Sequence, residues 1–195
     1  MARKPRTLLP GITYHVYSRC IDRKNLLHRD HCKDLLVKVL ARTQIKYKFE
    51  LISYVIMDNH FHFVIRTLEG EADISRIMQY IKARFAEIYN SDNNRTGPFW
   101  NERYRDVIVE MQNNPFVYLL WLLWYLGYNP VRKNFVSNPM KYRYSSINAY
   151  LYEDHASPVI ITIHEYFHLL GSNFRERVEK FLWYEDAYRE YAGLQ

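Results

Sequence analysis

The sequence is poor in cysteine, glycine and proline, and each shortage excludes a class of protein. Its 2 cysteines, Cys20 and Cys32, are too few for a disulfide scaffold. With 6 glycines and 7 prolines in 195 residues, the chain is neither collagen-like nor dominated by linkers. The longest apolar stretch, residues 116–127, is too short to span a bilayer, and no apolar segment follows the basic N-terminus as in a signal peptide. We therefore expect a soluble, cytoplasmic protein without a membrane partner.

Aromatic residues and positive charge, by contrast, are abundant. Aromatic residues make up 16% of the chain, 18 of them tyrosines, and the formal net charge is +6. The charge is uneven, because residues 1–50 hold 12 Lys or Arg against 4 Asp or Glu, whereas residues 153–195 hold 4 against 8. Cations contact phosphates and rings stack on unpaired bases, so this composition is typical of nucleic-acid-binding proteins. The alternative is a basic globular protein with a solvated acidic tail.

Apolar residues, counted together with cysteine and the aromatics, make up 48% of the chain. Their spacing predicts the secondary-structure elements. Alternation and β-branched residues predict strands, and apolar positions three or four residues apart predict helices. The predicted strands span residues 12–19, 49–57, 60–67 and 105–110, and the predicted helices span residues 30–47, 73–90 and 113–128. This order predicts an α+β protein with a ferredoxin-like, split βαβ antiparallel sheet and helices on one face.

The C-terminal part of the chain contains no predicted strand. Helices are predicted there over residues 145–152, 162–170 and 174–191. We therefore divide the chain into a domain of residues 1–152 and a helical C-terminal extension of residues 153–195. Asp30 is the predicted N-cap of the first helix, and Pro130 is predicted to stop the third, because proline interrupts the helical hydrogen-bond ladder.

Two histidines, His60 and His62, flank Phe61 in a predicted strand. Side chains two residues apart in a strand point to the same face, so both imidazoles project together while Phe61 projects to the other face. Two imidazoles on one face can chelate a divalent metal ion. The alternative is a pair of partly buried sheet histidines without a ligand.

A second histidine pair, His164 and His168, stands in a segment with the letters of the zinc-protease motif HExxH. On a helix the two imidazoles would share a face, and Glu165 could act as a base on zinc-bound water. Only 27 residues follow His168, and they would have to supply a third ligand and a substrate cleft. We favour an amphipathic docking helix, with a zinc protease as a further hypothesis.

Tyr125 and Asn129 are four residues apart, which makes them neighbours on one helix face. Asn129 precedes Pro130 and is expected at the helix end, where its amide is free to contact a ligand. Taken alone, Tyr125 could equally be one packing aromatic among the 18 tyrosines.

Five segments of the chain, taken in order, form a pattern that is more specific for a protein family than any one segment alone. They are residues 10–16 (PGITYHV), 57–62 (MDNHFH), 97–104 (GPFWNERY), 125–132 (YLGYNPVR) and 141–146 (KYRYSS). Together they resemble the IS200-type tyrosine transposases, and among them the REP-associated tyrosine transposases, which are single-tyrosine HUH enzymes. The acidic tail also resembles the C-terminal extension of that family, in which the HExxH letters have no catalytic role.

The resemblance implies a site and a reaction. It assigns His60 and His62 as metal ligands, Asn129 as a polar third ligand and Tyr125 as the nucleophile. The implied reaction is a phosphodiester transesterification on single-stranded DNA with a hairpin, which gives a 5′-phosphotyrosine and a free 3′-OH. Imidazole and carbonyl ligands are compatible with Mg²⁺ or Mn²⁺. The alternative is a catalytically silent relative that binds DNA hairpins, and we expect a monomer rather than a homodimer.

Basic and aromatic residues around these segments are the candidates for contacts with DNA. They are an N-terminal arm of Arg3, Lys4 and Arg6, a group near a predicted strand of Trp100, Arg103, Tyr104 and Arg105, and a basic stretch with Arg132, Lys133, Lys141 and Arg143. Cations would contact phosphates, and the rings would stack on bases. For each cation the alternative is surface charge that only improves solubility.

Overall fold

A computed structural model of the protein describes residues 8–194, and its centre is a four-stranded antiparallel sheet. The strands are β1 (Thr13–Arg19), β2 (Phe49–Ile56), β3 (His60–Thr67) and β4 (Arg105–Ile108). Their spatial order is β2-β3-β1-β4, so β3 and β1 are the central strands. The α+β class and the antiparallel split βαβ sheet predicted from the sequence are confirmed.

Helices precede and follow these strands in the predicted order. The described helices are α1 (Asp30–Lys46), α2 (Ile74–Asp92), α3 (Pro115–Arg132), α4 (Glu165–His168) and α5 (Phe174–Ala192), with short 3-10 turns at Ile21–Arg23, Pro139–Lys141 and Ile147–Tyr150. Both cysteines are buried and free. Within residues 8–194, none of the helices has the length and apolar character needed to cross a membrane.

One face of the sheet packs against α1 and α2 and forms much of the core. Phe61 and Phe63 stack on each other at 4.2 Å, and Phe61 meets the ring of Trp100 at 5.2 Å. Trp100 in turn lies 5.5 Å from Phe85 of α2, which packs beside α1. Strand alternation thus sends the phenylalanines of β3 into this core and leaves its histidines on the other face, as predicted.

α3 covers the other face of the sheet. The helices that the sequence predicts on one face are therefore α1 and α2, and α3 lies opposite them. The C-terminal extension packs on α3 from outside. The ring of Trp124 stacks on Phe181 of α5 at 4.6 Å, and its Nε1 donates to the Phe181 carbonyl at 2.9 Å. α3 therefore lies between the sheet and α5, which explains why it is apolar on more than one side.

The prediction that Pro130 stops α3 is wrong, because the helix continues to Arg132. It ends in a Schellman motif, with Asn134 in the left-handed region at φ 57°. The backbone N–H of Phe135 donates to the carbonyl of Pro130 at 2.9 Å, and that of Asn134 donates to Val131 at 2.9 Å. Asn134, a residue type that tolerates this conformation, is the actual stop signal. Asn129 consequently lies inside the helix and not at its end.

Two further boundaries differ from the predictions. The N-cap of α1 is Arg29 and not Asp30. Residues 145–152 form only a 3-10 turn, because Ser146 is bonded to the edge of the sheet. Its Oγ accepts a hydrogen bond from the backbone N–H of Tyr54 at 2.8 Å, and its N–H donates to the Tyr54 carbonyl at 3.0 Å. Backbone groups paired with a strand are not available to begin a helix.

Candidate metal and tyrosine site

His60 and His62 lie on the central strand β3, on the face that α3 covers. Their ring centroids are 5.2 Å apart and the rings are nearly perpendicular. His62 is buried and His60 is half-buried. The predicted placement of both rings on one face of a central strand is confirmed, and their role as metal ligands stays a prediction.

A neighbouring side chain orients each of these rings. Nδ1 of His60 lies 2.7 Å from Oδ1 of Asn59, and because that oxygen can only accept, Nδ1 carries the proton and Nε2 keeps its lone pair. Nδ1 of His62 lies 2.9 Å from Nε2 of His15 on β1. The sequence analysis missed His15 as a functional residue. The sequence contained a signal for it, because His15 and Tyr17 are two residues apart in a predicted strand and so point to the same face. The structure shows that this is the face of His62, since Tyr17 pairs with His62 across the sheet.

Burial keeps these histidines neutral. It lowers the pKa of His15 to about 4, and it lowers that of His62 well below the usual range, with repulsion from the other site histidines and Arg19 adding to the effect. The pKa of His60 falls to about 4, chiefly through burial and then through nearby positive charge, while a hydrogen bond with Asn129 opposes the shift. A neutral imidazole is the form that binds a metal ion.

α3 presents Tyr125 and Asn129 to the two histidines. The ring centroid of Tyr125 lies 5.6 Å from that of His62, with the rings edge to face. Asn129 forms a hydrogen bond with His60, and its Nδ2 donates to the Tyr125 carbonyl at 2.8 Å. The structure therefore brings together the four residues that the sequence analysis selected, two from a strand and two from a helix.

The other tyrosines of α3 that the helical spacing could offer are placed differently. The hydroxyl of Tyr128 donates to Oε1 of Glu185 in α5 at 2.5 Å, and burial together with this bond raises the pKa of Tyr128 above its usual range. Tyr118 lies about two turns before Tyr125, and burial raises its pKa as well. The contact of Tyr128 with Glu185, and the distance of Tyr118 along the helix, leave Tyr125 as the tyrosine of α3 beside the histidines.

A cleft of about 470 Å³ opens over Tyr125 and His62, and its wall includes Tyr17 and Arg19 of β1. A second hollow of about 270 Å³ shares Tyr17 and Arg19 with this cleft. Three further arginines line the second hollow, namely Arg23, Arg103 and Arg105. Positive charge therefore continues from the tyrosine and histidine pair onto the adjoining surface, an arrangement that suits a phosphate backbone.

A family model described as "Transposase IS200 like" matches residues 9–117, more than half of the chain. The chain belongs to the IS200-like transposase family. The matched residues include all four strands and the pair His60 and His62, and they end at the start of α3. No curated protein is significantly similar to the chain.

Two solved structures are similar to this chain. A REP-associated tyrosine transposase bound to a REP hairpin is 18% identical, with a TM-score of 0.64 over 83% of this chain and 92% of that chain. A protein of Deinococcus radiodurans assigned as a transposase is 20% identical, with a TM-score of 0.43 over 54% of this chain and 85% of that chain. The first likeness shows that this chain has the fold of that REP-associated tyrosine transposase.

Two pairs of predicted DNA-contacting cations are exposed at or beside the site. Arg103 and Arg105 line the smaller hollow next to the cleft. Arg132 and Lys133 lie where α3 ends, and Lys133 is close enough to His60 to help lower its pKa. These four cations surround the region in which the predicted metal ligands and Tyr125 meet, so they remain candidates for contacts with phosphate.

The remaining predicted cations lie elsewhere. Lys141 and Arg143 are exposed and line a separate cleft of about 580 Å³, to which Lys38 of α1 also contributes. Arg143 forms an ion pair with Asp34 at 3.0 Å, which neutralises part of this surface. Outside the described residues lie the three cations of the predicted N-terminal arm, Arg3, Lys4 and Arg6.

Trp100 and Tyr104, which the sequence analysis offers as rings that stack on bases, are largely buried, although both line a cleft of about 610 Å³ together with Arg103. Trp100 is buried, its ring packs against Phe61, and its Nε1 donates to the carbonyl of Lys82 at 2.9 Å. Tyr104 is buried too, and its hydroxyl shares a hydrogen bond with Ser75 at 2.8 Å. Sequence composition indicates that rings are present, but packing alone decides which of them reach solvent.

The HExxH segment does not form a zinc site. His164 is buried just before α4, where Nδ1 accepts a backbone N–H of that helix at 3.2 Å and Nε2 lies 3.2 Å from Oγ1 of Thr13. Glu165 is paired with Arg66 at 3.0 Å. Within residues 8–194, no group of three or more His, Cys, Asp or Glu residues could hold a metal ion. His164 instead joins the extension to β1, which agrees with the preferred interpretation as a docking element.

Proposed function

We propose that this protein cleaves and rejoins single-stranded DNA that carries a hairpin, through a covalent bond between Tyr125 and a 5′ phosphate. The observation that carries the proposal is the convergence of four side chains, His60 and His62 from β3 and Tyr125 and Asn129 from α3, of which His62 and Tyr125 line the cleft. Membership of a transposase family supports DNA as the substrate. So does a relative of the same fold that was solved with a REP hairpin.

The donor set at this site fits a divalent metal ion such as Mg²⁺ or Mn²⁺. Nδ1 of each ligand histidine is engaged by Asn59 or His15, so Nε2 is the atom that would bind a metal, and at His60 the ion would replace the hydrogen bond with Asn129. Asn129 would add an amide oxygen. When bound, such an ion would polarise the scissile phosphate and stabilise the negative charge that develops on its oxygens. Asn59 and His15 hold the rings in the orientation that binding requires.

Tyr125 supplies the attacking oxygen in this proposal. Its Oη forms a bond to phosphorus while the bond to the 3′ oxygen breaks, so one strand stays attached as a 5′-phosphotyrosine. The other strand leaves with a 3′-OH, whose proton balances the proton that Tyr125 loses. A tyrosine hydroxyl is a weak nucleophile near neutral pH, so its attack depends on stabilisation of the charge that develops on the phosphate, and Arg19 lies in the same cleft. Attack by another 3′-OH reverses the step and joins strands without an external energy source.

The surroundings of the cleft support this substrate and a monomeric enzyme. Among the described residues that line the cleft over Tyr125, none is an Asp or Glu, whereas Arg19 lies in its wall. The four proposed site residues all come from one chain, so the site needs no side chain from a second copy. A monomer is therefore sufficient for the proposed chemistry.

The decisive experiment compares two hydroxyl deletions on α3. We expect Tyr125→Phe to abolish the covalent adduct with a labelled hairpin oligonucleotide in Mg²⁺ or Mn²⁺, because only the attacking oxygen is lost, and to leave binding of the hairpin nearly unchanged. Tyr128→Phe is the matched control and should still form the adduct, since its hydroxyl contacts Glu185. Denaturing gels measure the adduct, and fluorescence anisotropy measures binding.

Two further results complete this test. His60→Ala and His62→Ala should each stop cleavage and weaken Mn²⁺ binding measured by calorimetry, because each removes a ligand. Hairpin binding by the unmodified protein without cleavage in either metal would support the catalytically silent alternative. An adduct in Tyr125→Phe, together with its loss in Tyr128→Phe, would contradict the assignment of the nucleophile.

A further inference from the structure

Two aromatic side chains stand in the wall of the cleft beside Tyr125. Trp121, half-buried on α3, precedes Tyr125 by four residues and so lies on the same helix face. Tyr191, in the last turn of α5, lines the same cleft, and its ring centroid lies 5.1 Å from that of Trp121. The C-terminal extension therefore contributes a ring to the surface next to the proposed nucleophile.

Tyr191 is not required by the packing of α5. On the side of the helix that faces α3, Phe181 is 0% exposed and Tyr188 is 4% exposed, while Tyr184 is half-buried. Tyr191 is 78% exposed. An aromatic ring that stays in water contributes little of the free energy that its burial would supply. Folding by itself thus gives no reason for a ring at this position.

The charge around these rings indicates which ligand could use them. Arg19 lines the cleft itself, and Arg103 and Arg105 line the hollow that adjoins it. Cations beside accessible rings match a single strand of nucleic acid, whose phosphates and unpaired bases are both available. A duplex keeps its bases stacked inside and offers no face to Tyr191. Arg105 is already paired with Glu102 at 3.3 Å, and an apolar peptide would make no use of the remaining positive charge.

We propose that Trp121 and Tyr191 form a stacking platform for an unpaired base close to the scissile phosphate. The arginines would hold phosphates on one side of Tyr125, and the platform would hold a base on the other side. The scissile phosphate would then be positioned over Tyr125 from both flanks. The platform rests on the proposed function for the presence of DNA, but it does not depend on cleavage.

The test measures binding in the Tyr125→Phe background, so that cleavage cannot affect the result. The ligand is a DNA hairpin with single-stranded flanks at fixed salt. Tyr191→Leu should weaken binding roughly 5- to 150-fold, the range expected for the loss of one stacked base. Tyr191→Phe should bind normally, because the ring and not the hydroxyl is used. The matched control is Trp183→Leu on the same helix, since Trp183 is also 78% exposed but does not line the cleft.

An abasic scan of the DNA shows whether the lost affinity is stacking. The bases of the single-stranded flanks are removed one at a time. At one position, loss of the base should weaken binding by the protein that has Tyr191 but not by the Tyr191→Leu variant. Equal affinity of the Tyr191→Leu variant and its parent, or an equal response to every abasic position, would overturn the platform and leave the proposed function intact. Failure of every variant and of the parent to bind the hairpin would overturn both. Equal thermal unfolding of the variants excludes a purely structural effect.

Discussion

Lys33 is buried where β2 turns into β3, close to the proposed metal ligands. Its Nζ lies 2.7 Å from Oδ1 of Asp58, and the rings of Phe135, Tyr142 and Tyr144 surround it at 5.3–5.8 Å. The Lys33 side chain is 6% exposed, and that of Asp58 is 25% exposed. This ion pair holds the turn that continues into Asn59 and His60, so a single buried cation supports the geometry of the site.

Removal of this cation tests its contribution to stability. We expect Lys33→Met to lower the free energy of unfolding by about 3 kcal/mol, because Asp58 is left as a poorly hydrated charge without a partner. The double variant Lys33→Met/Asp58→Asn should recover more than half of that loss, since it removes both charges. Urea unfolding monitored by tryptophan fluorescence measures all three proteins. A double variant as unstable as Lys33→Met would show that packing and not the ion pair is responsible.

Among the elements, α3 connects the core with the site. One side of the helix meets the sheet through Tyr125, and another meets α5 through Trp124. Asn129 and Arg132 belong to its final turns, so the position of the helix end affects the proposed metal site directly. That end depends on Asn134 at φ 57°, a conformation in which side chains branched at Cβ are strained.

Substitution of Asn134 tests the assignment of the helix stop. Asn134→Val should lower stability by about 1–2 kcal/mol, because a β-branched residue is unfavourable in the left-handed region. Asn134→Gly should be as stable as the parent or slightly more stable, since glycine adopts this conformation freely. Thermal unfolding compares the two variants. Equal stability of the valine and glycine variants would mean that the Schellman motif does not determine where α3 ends.

At the scale of the whole molecule, the extension is joined to the sheet through buried polar contacts as well as apolar ones. His164 bonds to Thr13 of β1, and the backbone N–H of Thr162 donates to the carbonyl of Leu51 in β2 at 2.9 Å. Burial, with a smaller contribution from Arg66, lowers the pKa of His164 to about 4. The imidazole is therefore neutral in the folded protein over a pH range in which it would be protonated in the unfolded chain.

This shift predicts a loss of stability in acid. A histidine in the unfolded chain titrates near pH 6.5, so the contribution of His164 is complete above that pH and falls as the pH decreases towards about 4. We expect His164→Gln to flatten the dependence of unfolding free energy on pH between these limits. Substitution of the exposed His155 by glutamine is the matched control and should leave the slope unchanged. The measurements need EDTA in all buffers, so that metal binding does not contribute, and an unchanged slope in His164→Gln would contradict the prediction.

Local patterns in the sequence predicted most of the elements and the core of the candidate site. Strand alternation is a property of neighbouring residues, so it placed His60 and His62 on one face and Phe61 on the other without knowledge of the fold. Helical spacing likewise made Tyr125 and Asn129 neighbours on one helix face, whereas their roles at a site came from the family resemblance. These features follow from backbone geometry, which acts over a few residues.

Contacts between distant residues were decided only by the tertiary structure. The pairing of β1 with β3 brings His15 to His62, and the packing of α5 on α3 brings Tyr191 to Trp121. Packing on the other face of the sheet, against Phe61 and Phe85, buries Trp100, which has the same composition signal as the exposed Tyr191. Exposure and partnership depend on which surfaces meet, and that is a property of the assembled chain. The sequence by itself therefore determined the residue types and their faces, while the fold decided which of them share a site.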